Sequence, residues 1–376
     1  MVIELPISKS IANRLLILQA IHGDELAGSP TALASWGALI TVSDSMPEDV
    51  QILHRALCLI ASSPHCLIDV GNCGTAMRFL TAYAAQLENK VTVLDGVERM
   101  RHRPIGQLVD ALREIGADIE YLGEKGFPPL RIKGCKLDKH RIVTLNNPQS
   151  TQFISALLLI GANVQTNSTS PYITLTKEMI WIKEQGTKNK DKLLTTDQTQ
   201  VTNLGSLLLA PYSEIERDWS SAAFWYEYVA LHGGEITLPG LFRNSLQGDK
   251  VVADIFAHLG VTTQYTEEGI HICRSQAILN SKFLIQNFSD CPDLYPAVAL
   301  TCERLGIELH ATGTESLPIK ESDRLRAVRE HRTDHDHRMA MALLIAGYEV
   351  DDTACISKSY PQFMEQFHRI NTLKLQ

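Results

Sequence analysis

Two stretches late in the chain carry more ionisable chemistry than their neighbours explain: Lys320-Glu321-Ser322-Asp323-Arg324, and Asp336-His337-Arg338 running into Met339-Ala340-Met341. Charges beside small apolar helix formers are costly to bury unless they face one another or a ligand. Carboxylates set among cations suit proton transfer on an anionic substrate. Similar groups recur earlier. Ser8-Lys9-Ser10-Ile11-Ala12-Asn13-Arg14 leads into Leu15, Leu16 and Leu18, so a capped helix start with two cations offers an anion site. A capped surface helix with solvated Lys9 and Arg14 fits that segment equally well. Gly71-Asn72-Cys73-Gly74-Thr75-Ala76-Met77-Arg78 pairs glycines with a helix start, which lets a ligand approach backbone N–H groups. Arg99-Met100-Arg101-His102-Arg103 supplies guanidinium forks matched to phosphate or carboxylate. Ser150-Thr151-Gln152 and Asp293 each open an apolar helix, as caps or as ligand contacts.

These cations must be placed by a sizeable scaffold. With 376 residues, 44% hydrophobic and 21% charged, the chain can bury two ordinary domain cores. A net charge of −8 argues against a broad nucleic-acid or membrane-surface binder, so any anion site is local. The eight cysteines show neither CxxC pairs nor zinc spacing, as expected of a reducing compartment. No segment approaches the roughly 20 apolar residues of a membrane span, and no secretory leader is recognisable, so a cytoplasmic location is expected. Lys9, Arg14, Arg103, Arg324, Arg338 and Lys358 all fall at element boundaries, as expected around a multiply anionic substrate. At an effective dielectric near 20, each contact ion pair is worth about 4 kcal/mol.

One unit repeats. Leu108, Leu112 and Ile115 at helical spacing stop at Gly116, and two short strands follow around a Gly123–Gly126 turn. Val252, Phe256 and Leu259 stop at Gly260 and lead into the strands Thr262–Tyr265 and Ile270–Cys273. Helix, glycine stop and hairpin thus form a module in each half of the chain. The crossover between halves is expected near Gly233-Gly234.

In order, these segments, with Asp218-Trp219-Ser220-Ser221, Arg243-Asn244-Ser245-Leu246-Gln247-Gly248-Asp249 and Lys358-Ser359-Tyr360-Pro361, resemble the 5-enolpyruvylshikimate-3-phosphate synthase family over nearly the whole chain. The resemblance implies an α/β fold of two lobes, each an inside-out α/β barrel of βαβαββ repeats, at 8–234 and at 1–7 plus 235–376. It implies transfer of the enolpyruvyl group of phosphoenolpyruvate to the 5-hydroxyl of shikimate 3-phosphate, releasing phosphate, in aromatic amino-acid biosynthesis. It also implies no metal, no organic cofactor, no nucleic-acid or membrane partner, and a monomer. Carried onto matching positions, Lys9, Gly74, Arg103, Gln152, Arg324, Arg338 and Lys358 hold phosphoenolpyruvate. Lys9, Ser10, Arg14, Ser150, Thr151, Gln152, Thr169, Asp293 and Lys320 hold shikimate 3-phosphate. Asp293 is the expected base, and Glu321, with Lys9 nearby, the expected proton donor, which requires Glu321 to be protonated near neutral pH.

A related enolpyruvyl transferase, acting on UDP-N-acetylglucosamine, carries a reactive cysteine ahead of the arginine matching Arg103; none lies between Gly96 and Arg103 here. An inactive anion-binding homologue is the other alternative, and the retained Asp293, Glu321 and cations speak against it. The chain departs from the family at one place. Residues 325–335 are too few for the helix and hairpin expected between Arg324 and Asp336. Either a unit is deleted, or a segment around 330–334 is missing from the sequence; the stability cost of deletion favours the latter.

Overall fold

The computed structural model describes residues 1–26, 46–188, 215–275 and 282–374. The chain divides into two compact units, Ser10–Ser43 with Asp49–Ile215, and Met1–Lys9 with Asp44–Glu48 and Glu216–Gln376. Among the described residues, no helix is long and apolar enough to cross a membrane.

The first unit contains α1 (Lys9–Leu26), whose first residue counts with the second unit, then α2 (Glu48–Ser62), β1 (His65–Asp69), α3 (Gly74–Ala85) and β2 (Val91–Asp95). It continues with α4 (Glu98–Arg101), α5 (Gly106–Glu114), the hairpin β3 (Asp118–Tyr121) and β4 (Leu130–Lys133), β5 (Ile142–Thr144), α6 (Thr151–Leu159), β6 (Asn163–Gln165) and α7 (Pro171–Lys188). β1 to β4 form one sheet in the order β1-β2-β4-β3, with β1 and β2 parallel and the hairpin antiparallel. Gly116 ends the helical module with φ +100°, a conformation that a side chain would resist. α3 is apolar almost all round and buries every residue but Thr75, as an interior helix must. It packs against α5 and α6, while β1 exposes Leu67. Helices lie inside and strands outside.

The second unit contains α8 (Trp219–His232), β7 (Glu235–Pro239), α9 (Val252–Ala257), β8 (Val261–Tyr265), β9 (Gly269–Arg274), β10 (Phe283–Asn287), α10 (Tyr295–Leu305), β11 (Glu308–Thr312), α11 (Arg324–Glu330), α12 (His337–Ala346) and α13 (Phe363–Lys374). β7 to β9 form a sheet ordered β7-β9-β8, and β10 pairs in parallel with β11. Both expected helix-stop-hairpin modules are present, as α5-β3-β4 and α9-β8-β9. α8, α10 and α12 pack together at the centre, with Trp219, Trp225, Leu300 and Leu343 in one core.

One expectation needs correction. α8 shares its core with Ile3 and Leu5, so the chain crosses at Ile215–Glu216 rather than at Gly233-Gly234, and Ser8 and Lys9 also belong to the second unit. A helix apolar on every side carries no sequence mark of the core that holds it. Gly233, with φ +72°, is simply the end of α8. As expected from its length, the short stretch after Arg324 does not hold both a helix and a hairpin: it supplies the helix, α11, and no hairpin. Its turn is made by His331, Asp334 and His335 at φ 51°, 46° and 59°. Left-handed residues of this kind cost on the order of 1 kcal/mol each. Arg326 and Arg332 bind Asp334 at 2.9 and 3.2 Å, and His335 binds Asp352 at 2.6 Å.

Candidate active site

In the second unit the two charge clusters of the sequence meet. Asp323 caps α11 by accepting the Arg326 N–H, and Asp336 caps α12 by accepting the Arg338 N–H at 2.9 Å. Both caps point the following arginines, Arg324 and Arg338, at the short helical turn Pro292–Leu294 that carries Asp293. Arg324 Nη1 lies 2.7 Å and Lys320 Nζ 3.5 Å from Asp293 Oδ1, while Arg338 Nη2 lies 3.0 Å from Oδ2. Arg324 Nε also donates to Asp336 Oδ2 at 2.8 Å. Burial opposes ionisation of Asp293, but Arg338, Lys320 and Arg324 overcome it and hold the carboxyl well below the usual carboxylate range. Burial likewise opposes ionisation of Asp336, and Arg324 depresses it.

Glu321 occupies a second nest of donors. His337 Nδ1 lies 2.8 Å from its Oε2 and Lys358 Nζ 3.1 Å from its Oε1. Burial favours the neutral acid, yet His337, Lys358 and Lys9 together hold Glu321 well below its ordinary value. The imidazole and ammonium outweigh desolvation and favour the carboxylate; the expectation of a protonated Glu321 concerns the complex closed on both substrates. His337 itself is pushed down by burial, so a neutral ring donating from Nδ1 is the consistent assignment. Its buried Nε2 makes no hydrogen bond among the described residues, and neither does Arg338 Nη1. Glu321, Asp336 and His337 place ligand atoms within 4.8 Å of one another. Arg324 and Lys358 already bind two of these carboxylates, and their charge opposes a metal ion there.

The first unit holds a separate cationic nest at the start of α3. A Cβ on Gly74 would lie 2.5 Å from both Arg103 Nη2 and Arg78 Nη1, so only glycine lets the two guanidinium groups reach the helix end. Arg103 donates to Asn72 O at 3.2 Å, and Arg78 to Gly74 O at 3.0 Å. Burial and the neighbouring Arg103 push Arg78 well below the ordinary guanidinium value. Gln152 Nε2 donates to Thr75 Oγ1 at 2.9 Å, tying α6 to this helix start. Ser150 caps α6 by accepting the Gln152 N–H, with Thr151 as the first helical residue. Ser10 and Arg14 lie on α1. Arg14 is buried and spends its donors on Thr176 Oγ1, Ser155 Oγ, Ser10 O and Tyr172 O, at 2.7, 3.0, 2.8 and 3.3 Å. Thr169 is exposed in the loop before α7.

Two residues escaped the sequence reading. Arg78 ends the glycine-rich segment and lay in plain view. Asp249, within the Arg243–Asp249 segment, is raised to about 6 by burial and by Asp293, and Ser220 donates to it. Its relation to Asp293 is spatial, and no spacing announces it.

The model of the family EPSP synthase (3-phosphoshikimate 1-carboxyvinyltransferase) matches residues 2–331 and 328–367, two segments that meet at the shortened connection after α11. A 3-phosphoshikimate 1-carboxyvinyltransferase of Bacteroides fragilis (strain YCH46) is 36% identical over 414 residues, covering 98% of this chain and 94% of that relative. That aligned length exceeds the chain's 376 residues, so the relative has residues that this chain lacks. One of Erwinia tasmaniensis is 31% identical, covering 99% and 96%. The solved EPSP synthase of Acinetobacter baumannii superposes with a TM-score of 0.64 at 19% identity, covering 98% of this chain and 95% of that one, which shows a shared fold. The chain belongs to the EPSP synthase family.

Proposed function

We propose that this chain transfers the enolpyruvyl group of phosphoenolpyruvate to the 5-hydroxyl of shikimate 3-phosphate, releasing inorganic phosphate. Support comes chiefly from Asp293, an ionised carboxylate held by Lys320, Arg324 and Arg338. Phosphoenolpyruvate brings a phosphate and a carboxylate that compete for Arg324, Arg338 and Lys358. As those cations turn to the ligand, the depressing fields on Asp293 and Glu321 weaken and both become better proton carriers. Asp293 accepts the proton of the 5-hydroxyl as its oxygen bonds to C2 of phosphoenolpyruvate. Glu321, which takes a proton from solvent as its cations are drawn to the ligand, gives it to C3 with Lys9 beside it. Phosphate then leaves C2 carrying the proton that Asp293 took from the hydroxyl, and the Glu321 carboxylate takes a proton back from the new methyl group to restore the double bond.

Arg103 beside Gly74, with Gln152, takes the remaining oxygens of phosphoenolpyruvate. The Ser150 and Thr151 hydroxyls, with the open N–H groups of α6, suit the phosphate of shikimate 3-phosphate, and Lys9, Ser10, Thr169 and Lys320 complete that substrate's contacts. Arg14 contributes charge and holds Ser155 and Tyr172. No residue in this scheme comes from a second copy, so one chain is the catalytic unit, working in the cytoplasm without metal or cofactor. The test is phosphate release from phosphoenolpyruvate, dependent on shikimate 3-phosphate. Asp293→Asn is expected to lower kcat by about 10²- to 10⁴-fold with folding retained. Release that instead requires UDP-N-acetylglucosamine, or that survives Asp293→Asn unchanged, would overturn the assignment.

A further inference from the structure

The segment Arg243–Asp249 buries Ser245 and Gln247, at 5% and 3% exposure, although neither is among the groups assigned to substrate. Buried polar side chains persist where hydrogen bonds hold them, and here those bonds lead toward the active site. Two passages of chain meet beside the segment. Residues 6–8 run antiparallel to residues 216–218: Ser8 N–H donates to Glu216 O and Asp218 N–H to Pro6 O, both at 2.9 Å, and Ile7 bridges Arg217 between them.

Gln247 fastens both passages with one amide. Its Nε2 donates to Arg217 O at 2.8 Å, while its Oε1 accepts the Ser8 hydroxyl at 2.8 Å and the N–H of Trp219, the first residue of α8, at 3.3 Å. A carbonyl needs a donor and a backbone N–H needs an acceptor, so this amide can be oriented in one way only, and the Ser8 hydroxyl must donate to it. The segment holds the amide in turn. Ser245 Oγ accepts the Gln247 N–H at 3.0 Å and donates to Glu216 Oε2 at 2.8 Å, and Trp219 Nε1 donates to Glu216 Oε1 at 3.0 Å. The chain of bonds thus runs from Glu216 through Ser245 and Gln247 to Ser8, and Lys9 is the next residue.

We infer that Gln247 is a positioning residue for the transfer reaction proposed above, acting through Ser8 to hold Lys9 beside Glu321. The consequence for turnover rests on that reaction; the placement of Lys9 rests on the hydrogen bonds alone. Ser8 is fully buried, and Lys9, half-buried, begins α1. The Lys9 ammonium lies close enough to Glu321 and His337 for its charge to act on both. Lysine carries that charge on a flexible four-carbon stem, so freedom at its root is magnified at its tip. A misplacement of about 1 Å at a reacting centre costs up to about 10²-fold in rate. A serine locked from behind by a buried amide removes that freedom.

Two readouts test this, one of turnover and one of Lys9 itself. Ser8→Ala removes the donor while the bonds of Gln247 to Trp219 and Arg217 stay in place; it is expected to lower kcat by about 10- to 100-fold with a small shift in the unfolding midpoint. Ser8→Thr keeps the hydroxyl and is expected to restore most of the rate. Gln247→Met is expected to lower kcat by at least the same factor, and the double variant by no more than Gln247→Met alone, because both changes cut one link. A purely structural part for Gln247 would lower the midpoint and leave the kcat of the folded enzyme in place. Competitive acetylation of the ligand-free chain, read at Lys9 by peptide mass spectrometry, needs no turnover. Both Ser8→Ala and Gln247→Met are expected to raise the modification rate of Lys9 severalfold over that of the other lysines. An unchanged kcat in Ser8→Ala, or an unchanged Lys9 rate in both variants, would overturn the inference. If the unmodified chain releases no phosphate with shikimate 3-phosphate, the reaction is wrong, and acetylation still decides whether Gln247 places Lys9.

Discussion

Gly74→Ala tests the cationic nest of the first unit. The added Cβ would sit 2.5 Å from Arg103 Nη2, 2.8 Å from Arg103 Cζ and 2.5 Å from Arg78 Nη1. Carbon and nitrogen do not approach so closely, so the guanidinium of Arg103 must retreat by about 1 Å to reach van der Waals contact. At an effective dielectric near 20, lengthening an ion pair from about 3 to about 4 Å loses about 1.4 kcal/mol, or tenfold in affinity. The expected result is a KM for phosphoenolpyruvate raised about tenfold. The KM for shikimate 3-phosphate should stay within about twofold, because Ser150 and Thr151 lie on a different helix. Stability is not expected to fall, since alanine is the better helix former by up to about 1 kcal/mol. Steady-state kinetics in each substrate and a thermal melt decide it. An unchanged KM for phosphoenolpyruvate, or equal rises for both substrates, would refute the reasoning from Gly74 to Arg103.

Two predictions concern stability. Asp336→Ala removes the buried partner of Arg324 and the cap of α12; a loss of about 3–5 kcal/mol in urea unfolding is expected, and a loss below about 1 kcal/mol would show that the pair is dispensable. Glu227 on α8 is fully buried, neither of its carboxyl oxygens has a hydrogen-bond partner among the described residues, and burial raises it well above 4.5. An acid raised on folding stabilises fully below its unfolded value and loses that contribution as pH climbs toward its folded one. Glu227→Met is therefore expected to raise the unfolding midpoint, with a gain that grows from about pH 5 to about pH 8; a gain independent of pH would show that Glu227 is not neutral in the fold.

Much of this architecture was legible because it is local. The glycine stops at Gly116 and Gly260, the paired strands after them, and the cap Ser150 are written in short spacings. The two late charge clusters do meet in space, through Arg324 and Ser322 on Asp336. What was not legible depends on distant neighbours. α8 is apolar on all faces, so nothing in its own residues says which core receives it. The charge state of Glu321 is set by His337 and Lys358, which fold onto it from separate elements, and Arg14 faces inward because α6 and α7 offer it acceptors. The short connection holds a helix and no hairpin, as its length implies: α11 takes seven residues, and His331, Asp334 and His335 tolerate a turn usually left to glycine.

The site in the second unit is nearly self-neutralised. Lys320, Arg324, Arg338 and Lys358 stand against Asp293, Glu321 and Asp336, leaving one net positive charge among them. Such a cluster casts little field beyond a Debye length of about 8 Å at physiological ionic strength. Its internal carboxylates act as resident counter-ions, so an arriving substrate exchanges with them at contact instead of being drawn from afar. Selectivity then rests on how well the incoming anion fits the fixed guanidinium forks, a geometric criterion that added salt barely touches.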